Sequence, residues 1–268
     1  MDARARAPGV LARAPARAAA DSDTMMSSTS AAPSAALLAH QAEWLAPARA
    51  RLLRRIHIAR RRRVLDLGAG RGAVTAELVR RAEGAVIALD RAVAALGEIQ
   101  TEGTLLVGGD ARRLPFRAAH FDLVFSQLTT LWIDDVAAAV REVWRVLMAD
   151  GVWIALAPDY GGMMEHPSEI ATRELWIAGL QRAGADPQVG RKFPGLCAEQ
   201  GFEVRVDLFD SLRPPATQRF DLLRGLPLTP EERAQLDHIE RQAKTLTGSW
   251  SQVVHLPFFL ITATKHLT

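Results

Sequence analysis

Cysteine is almost missing from this chain, since Cys197 is the only one among 268 residues. One cysteine cannot form an intramolecular disulfide or a cysteine-based metal cage. The seven histidines show no metal-ligand spacing, so the sequence predicts no bound metal. A chain without disulfides fits a reducing compartment, which favours a cytoplasmic location.

Long apolar runs are missing as well. No apolar stretch reaches the roughly 18 residues that a membrane span requires. The N-terminal part also lacks the continuous apolar core of a secretory signal. We therefore expect no membrane partner.

A strong charge of one sign is absent from most of the chain. The formal net charge is +3, and residues 1–20, with four arginines and one aspartate, account for all of it. The neutral remainder weakens any prediction of nucleic-acid binding. Seven arginines do cluster between residues 51 and 63. We interpret this arginine cluster as a solvated helix face and turn, with an RNA- or phosphate-binding patch as the alternative.

The chain divides by composition into an extension and one domain. Residues 1–33 are rich in Ala, Arg, Ser and Pro without apolar periodicity, which predicts disorder. Residues 34–268 are long enough for one domain with accessory helices. Within it, the apolar spacing of residues 34–58 predicts a helical hairpin or bent helix, interrupted near Pro47, that acts as a lid.

Residues 64–158 alternate short apolar runs with amphipathic stretches, as in a parallel sheet covered by helices on both faces. The predicted strands are Val64–Leu67, Ala85–Leu89, Thr104–Val107, Leu123–Ser126 and Val152–Ala157. The predicted helices between them are Ala73–Arg81, Val93–Gln100 and Asp135–Leu147. These lengths match right-handed βαβ crossovers and predict a doubly wound, Rossmann-like α/β fold.

The sequence pattern changes after residue 158. We expect residues 159–268 to supply helices on the substrate side and the last strands of the sheet. The predicted helices are Ser168–Ala183 and Phe193–Gln200, and a charged helical insertion covers Pro214–Thr247. Glu203–Leu208 and Phe258–Thr264 have the pattern of strands that complete the sheet. We expect a mostly parallel sheet with an antiparallel last strand.

The strongest local signal is a strand that runs into the glycine-rich turn Gly68-Ala69-Gly70-Arg71-Gly72. Glycines allow a sharp turn and a close approach of ligand to backbone, although the pattern alone is weak evidence. Asp66 lies two positions before the first glycine, where it can meet a cationic amine. An NAD-binding strand usually has no acidic residue there.

Acidic residues also follow the second and third predicted strands. Asp90 ends the second strand about 20 residues after the glycine turn, where a carboxylate accepts hydrogen bonds from ribose hydroxyls. This feature is common to dinucleotide and S-adenosylmethionine sites. An S-adenosylmethionine site is favoured by two further segments, Gly109–Phe116, which contains Asp110, and Phe121–Gln127.

In this order and spacing, residues 35–158 resemble class I S-adenosylmethionine-dependent methyltransferases of the type 11-like group, which act mostly on small molecules. The segment Arg141–Leu147 before Asp150-Gly151 adds to the resemblance, and the rest of the chain is similar only loosely. The resemblance implies methyl transfer with S-adenosylmethionine as cofactor. It does not identify the acceptor.

The resemblance also implies a role for each matching residue. Asp66, Gly68, Ala69 and Gly70 would hold the methionine part, Asp90 the ribose, and Asp110 the adenine amino group. The stem of Arg91 and the backbone of Ala111 would flank the adenine ring. Ser126 and Gln127 would line the floor beneath the sulfonium.

The sequence does not define a catalytic residue. Tyr160, Glu165 and His166 follow the fifth strand in a turn that looks mobile, and Tyr160 and His166 are the candidates to orient or deprotonate an acceptor. Methyl transfer is an in-line displacement that alignment and exclusion of water can accelerate without a dedicated base.

Three other functions remain open. An RNA methyltransferase is disfavoured because Ser126-Gln127-Leu128-Thr129 stands where an Asn-Pro-Pro-Tyr-like motif is expected. An NAD-dependent oxidoreductase would leave Asp66 and Asp110 without roles. A non-catalytic protein that binds S-adenosylmethionine would show the same motifs.

Overall fold

A computed structural model of the chain describes residues 35–209, 212, 214–248 and 250–266. The extension predicted for residues 1–33 lies outside this part. The elements, in chain order, are α1 (Ala35–Arg55), β1 (Arg63–Leu67), α2 (Thr75–Arg81), β2 (Ala85–Asp90), α3 (Val93–Leu96), β3 (Thr104–Gly108), β4 (Phe121–Gln127), α4 (Val136–Val146), β5 (Leu147–Pro158), β6 (Met164–His166), α5 (Arg173–Arg182), α6 (Val189–Glu199), β7 (Glu203–Leu208), α7 (Arg219–Arg224), α8 (Pro230–Thr245), β8 (Val253–His255) and β9 (Phe258–Thr264).

The main sheet has seven strands in the order β3-β2-β1-β4-β5-β9-β7. Strands β1 to β5 are parallel, whereas β9 runs antiparallel to both of its neighbours. The predicted doubly wound α/β fold with an antiparallel last strand is therefore confirmed. The strand order reverses between β1 and β4, which opens a crevice at their carboxyl ends.

The central strands β1, β4, β5 and β9 are buried on both faces, and successive side chains of each strand point to opposite faces. On one face, Val152 and Ile154 of β5 belong to the same apolar cluster as the buried residues of α1. On the other face, Trp153 and Ala155 pack with buried residues of α4 and α6. Helix α1 thus covers one face of the sheet.

The N-terminal segment is one continuous helix, so the predicted hairpin and the interruption near Pro47 are wrong. Leu45, Leu52 and Leu53 are fully buried. Their helical spacing continues in register across Pro47, and this packing offsets the backbone hydrogen bond that proline cannot donate.

Other helix ends differ from prediction for local reasons. Helix α5 begins at Arg173 and not at Ser168, because Glu165 accepts hydrogen bonds from the backbone N–H groups of Thr172 (2.7 Å) and Arg173 (3.0 Å). Helix α3 ends before Gly97, four residues early. Helix α6 begins earlier than predicted, at Val189.

A second, two-stranded sheet was not predicted. Strand β6 pairs antiparallel with β8, with Met164 opposite His255 and His166 opposite Val253. The segment expected to be a mobile turn is therefore partly a strand. Within the described ranges, no helix combines the length and apolar character needed to cross a membrane.

Candidate functional site

The glycine turn after β1 is held against the end of β2. The backbone N–H groups of Gly68 and Ala69 both donate to the carbonyl of Leu89, at 2.8 and 3.0 Å. At Gly68, φ is +74° and a Cβ would lie 2.1 Å from Cγ2 of Thr129. At Gly70, φ is +53° and a Cβ would meet no described atom within 4 Å. The backbone at Gly70 is therefore open to a ligand.

Asp90 fixes the shape of this turn from the end of β2. One carboxylate oxygen, Oδ2, accepts a hydrogen bond from the N–H of Gly70, and Oδ1 accepts one from Ala92, both at 2.8 Å. An ionised carboxylate has about four acceptor positions, so two remain for a ligand. Asp90 is thus both a turn-forming residue and a candidate ligand-binding residue.

Asp66 is a buried carboxyl group at the end of β1. Its Oδ2 accepts a hydrogen bond of 2.7 Å from the hydroxyl of Thr75. The pKa of Asp66 is raised to about 6, mainly by burial and in smaller part by the charge of Asp90. The Thr75 hydroxyl and the charge of Arg49 act in the opposite direction. A bound cation would favour the ionised form of this carboxyl.

Asp110 follows β3 and is paired with Arg112. The guanidinium of Arg112 donates to both carboxylate oxygens of Asp110 and, through Nη1, to Asp134 at 2.7 Å. This contact holds the pKa of Asp110 below its ordinary value. Arg112 therefore competes for the atoms with which Asp110 is expected to bind adenine.

Gln127, at the end of β4, is held by a residue that sequence reasoning missed. Arg49 of α1 is buried and donates through Nη1 to Oε1 of Gln127 at 2.9 Å. Its Nη2 lies 2.6 Å from a carboxylate oxygen of Glu77 in α2. Arg49 could have been found from its position in the helix, because it lies on the same face of α1 as the apolar residues Leu45 and Leu52.

These groups surround a cavity of about 590 Å³ at the carboxyl edge of the sheet, named here the first cavity. All the predicted cofactor-binding residues line it: Asp66, Gly68, Ala69, Gly70, Asp90, Arg91, Asp110, Ala111 and Gln127. Ser126 was expected at the cavity floor, and this expectation is wrong. Its buried hydroxyl instead accepts a hydrogen bond of 3.0 Å from the indole of Trp153.

A second cavity, of about 370 Å³, adjoins the first, and Tyr160, Trp176 and Leu222 line both. Tyr160 is buried, and its ring lies 5.1 Å from that of Trp176. His166 is exposed and lines neither cavity. The carboxylate of Glu165 is engaged by Thr172 and by the start of α5. Of the three residues after the fifth strand, only Tyr160 reaches the cavities.

Two members of the arginine cluster, Arg61 and Arg62, lie at the opposite edge of the sheet. Arg61 donates to the carbonyl of Asp122 at the start of β4, and the N–H of Arg62 donates to its carboxylate. Arg55 pairs with Asp207 of β7 at 2.7 Å. These residues tie α1 and the start of β1 to the sheet, at a distance from the cavities.

A doubly wound sheet with a glycine turn and carboxylates at the ends of β1 and β2 defines a protein class that binds nucleoside cofactors. Within that class, residues 65–155 match the family model described as methyltransferase domain. The chain therefore contains a class I S-adenosylmethionine-dependent methyltransferase domain.

Curated relatives match only part of the chain. The malonyl-[acyl-carrier protein] O-methyltransferase of Halorhodospira halophila is 40% identical over 109 residues, which cover 38% of this chain and 37% of that relative. The mitochondrial arginine-hydroxylase NDUFAF5 of Homo sapiens is 38% identical over 92 residues, which cover 34% of this chain and 27% of that relative. The chain thus spans well under half the length of these relatives. Because their names differ in reaction, the match defines the domain and not the chemistry.

The fold extends beyond the matched segment. The structure of geranyl diphosphate C-methyltransferase from Streptomyces coelicolor, in complex with S-adenosyl-L-homocysteine, superposes with a TM-score of 0.53. The superposition covers 84% of this chain and 75% of the Streptomyces coelicolor chain, at 17% sequence identity. The shared architecture therefore includes most of the last part of the chain.

Proposed function

We propose that the chain binds S-adenosylmethionine in the first cavity and transfers its methyl group to a small molecule. The supporting observation is that Asp66, Asp90 and Asp110 lie at the carboxyl ends of three neighbouring strands and line one cavity beside the open backbone of Gly70. Their chemistry suits an ammonium group, a pair of ribose hydroxyls and an adenine amino group, respectively.

The adenine end of this cavity is adjustable. Ala111 and the stem of Arg91 line the wall where a flat ring would lie. Arg112 is partly exposed and shares its guanidinium between Asp110 and Asp134. A shift of this guanidinium toward Asp134 frees acceptor positions on Asp110 without leaving the arginine unpaired.

S-adenosylmethionine, when bound, supplies a methyl group on a positively charged sulfur. The part left to the chain is alignment and exclusion of water, for which Tyr160 and Trp176 form an apolar wall. Burial raises the pKa of the Tyr160 phenol well above its ordinary value, so the hydroxyl stays protonated near neutral pH. We assign Tyr160 to hydrogen-bond donation toward the acceptor and not to proton removal.

A small-molecule acceptor is favoured by the second cavity, which adjoins the first at Tyr160. The RNA alternative loses support because Arg55 and Arg61 of the arginine cluster are engaged in holding the sheet. We also propose that residues 34–58 form a lid, 64–158 the cofactor core and 159–268 the substrate side. The cytoplasmic location stays a prediction.

The test is incubation of the chain with S-adenosyl-[methyl-³H]methionine and fractions of a metabolite extract. We expect label in one small-molecule fraction, with equal formation of S-adenosylhomocysteine. Binding without turnover in any fraction would favour the non-catalytic alternative. Label in RNA only would make the RNA methyltransferase correct.

A further inference from the structure

The second cavity combines apolar walls with one unusual cation. Its apolar surface includes Trp44, Met163 and Trp176, and the ring of Trp44 is fixed by edge contacts of 5.3 Å with two phenylalanine rings. Arg219 also lines this cavity. The cavity thus has an aromatic wall that suits a flat apolar body.

Arg219 is half-buried and has no ion pair with a carboxylate of the described residues. Its Nη2 donates to the amide oxygen of Gln252 at 3.1 Å, and its Nη1 to the carbonyl of Ala216 at 3.4 Å. The Nε atom is buried and has no hydrogen-bond partner in the described part of the chain. The guanidinium therefore has hydrogen-bonding capacity that the neutral groups of the described residues do not satisfy.

The carboxylates that influence Arg219 electrostatically are committed elsewhere. Burial lowers the pKa of Arg219, and the charges of Glu165 and Glu240 oppose that effect. Glu165 accepts hydrogen bonds from Thr172, and Glu240 is paired with Arg224 and Lys244. Among the described residues, Arg219 thus has no dedicated counter-ion, and its guanidinium instead lies 4.3 Å from the centroid of the Phe220 ring. A positive charge without a counter-ion costs free energy at a partly desolvated site.

Among the described residues, three other titratable side chains line this cavity: Tyr160, His255 and Glu43. The buried Tyr160 phenol stays protonated and carries no charge. His255 is buried, and burial lowers its pKa below the ordinary value, so the imidazole is neutral near neutral pH. Glu43 is exposed, so its charge is screened by water and salt. The charge that a ligand meets inside the cavity is therefore that of Arg219.

We propose that the second cavity binds the methyl acceptor as a flat apolar molecule with one anionic oxygen group, and that Arg219 is the counter-ion of that group. The acceptor assignment rests on the proposed function. The anion site itself rests only on the geometry of the cavity. A guanidinium binds a carboxylate with two parallel hydrogen bonds, which explains why arginine and not lysine occupies this position.

The probes for this site are 2-naphthoate and its neutral isostere 2-naphthamide. Binding is followed by quenching of tryptophan emission, since Trp44 and Trp176 line the cavity, and by calorimetry with saturating S-adenosylhomocysteine. We expect naphthoate to bind ten- to a hundredfold more tightly than naphthamide, as for a hydrogen bond to a charged partner. If the unaltered protein bound the two probes with equal affinity, or bound neither, the proposal would be overturned.

Variants locate the site. Arg219→Met should abolish the preference for naphthoate and leave naphthamide and S-adenosylhomocysteine affinities unchanged, whereas Arg219→Lys should retain part of it. The control is Arg233→Met, which removes an exposed positive charge of α8 and should not change the preference. An unchanged preference in Arg219→Met would contradict the proposal. Failure of S-adenosylhomocysteine to bind would instead overturn the proposed function and leave the anion site in place.

Discussion

Arg49 of α1 donates a hydrogen bond of 2.9 Å to Oε1 of Gln127, a residue that lines the first cavity. The same guanidinium is paired with Glu77 of α2, and both side chains are nearly excluded from water, with exposed fractions of 5% and 12%. Helix α1 is therefore joined to the cavity wall by a buried polar network. Such networks are costly when one partner is removed.

Arg49→Met should lower the free energy of unfolding by about 3 kcal/mol or more, because it leaves Glu77 buried without its closest cation. The matched control is Arg81→Met, since Arg81 also pairs with Glu77, at 3.0 Å, but is more exposed. Its loss should cost less than about 1 kcal/mol. Urea denaturation measures both values. Similar small losses in the two variants would mean that Arg49 does not organise the site.

Asp66→Asn should stabilise the unliganded protein and weaken cofactor binding. The folded-state pKa of about 6 lies above the ordinary 3.8, so ionisation of Asp66 opposes folding above pH 6 and has no effect below about pH 4. At pH 8 the variant should gain up to about 3 kcal/mol in unfolding free energy. The gain should shrink as pH falls from 6 to 4. A gain independent of pH would contradict this interpretation.

Asp90→Asn should weaken S-adenosylhomocysteine binding by roughly ten- to a hundredfold, since an amide offers fewer acceptor positions to ribose hydroxyls. It should also cost about 1 kcal/mol of stability, because the amide nitrogen cannot accept from Gly70 or Ala92. Asp122→Asn is the control. Asp122 likewise accepts two backbone N–H bonds, but at the opposite edge of the sheet. Calorimetry should show normal affinity in the control, and equal losses of affinity would make Asp90 a purely structural residue.

Gly68→Ala should destabilise the protein more than Gly184→Ala. Both glycines have φ near +80°, at +74° and +80°, so both substitutions introduce a similar backbone strain. A Cβ at Gly68 also meets the side chain of Thr129, whereas a Cβ at Gly184 meets no described atom within 4 Å. The extra loss for Gly68→Ala, expected at about 1–3 kcal/mol from overpacking, is measured by thermal or urea unfolding. Equal losses of stability in the two variants would show that the turn shifts to accommodate the added Cβ at little cost.

The sequence predicted the first strands of the sheet well because β1, β2 and β3 are mainly apolar runs that end at, or directly before, glycine or aspartate. Strands β1, β2 and β3 differ from prediction by one residue at an end, and β7 and β9 agree fully. Strands β6 and β8 have three residues each, too few to show an alternating pattern. Helix α1 was misjudged because proline signals a break locally, whereas packing across the whole helix decides the outcome.

Part of the site could be predicted because some of its residues belong to strands that are recognisable in the sequence. Asp66 and Asp90 lie at the carboxyl ends of such strands, so their position at one edge of the sheet follows from topology. Arg49 was missed because Gln127 is 78 residues away and an arginine in a helix usually faces solvent. Arg219 could not be found from sequence either, because a sequence does not show that the folded chain, over its described residues, places no paired carboxylate beside this arginine.

The central claim is that the first cavity holds S-adenosylmethionine, and the most direct test is a calorimetric comparison of S-adenosylhomocysteine with NAD. Both ligands carry adenosine, but only S-adenosylhomocysteine carries an amino acid ammonium group for Asp66. We expect saturable binding of S-adenosylhomocysteine at one site per chain and no measurable binding of NAD. Tighter binding of NAD would contradict the assignment of the cavity and the methyl transfer that depends on it.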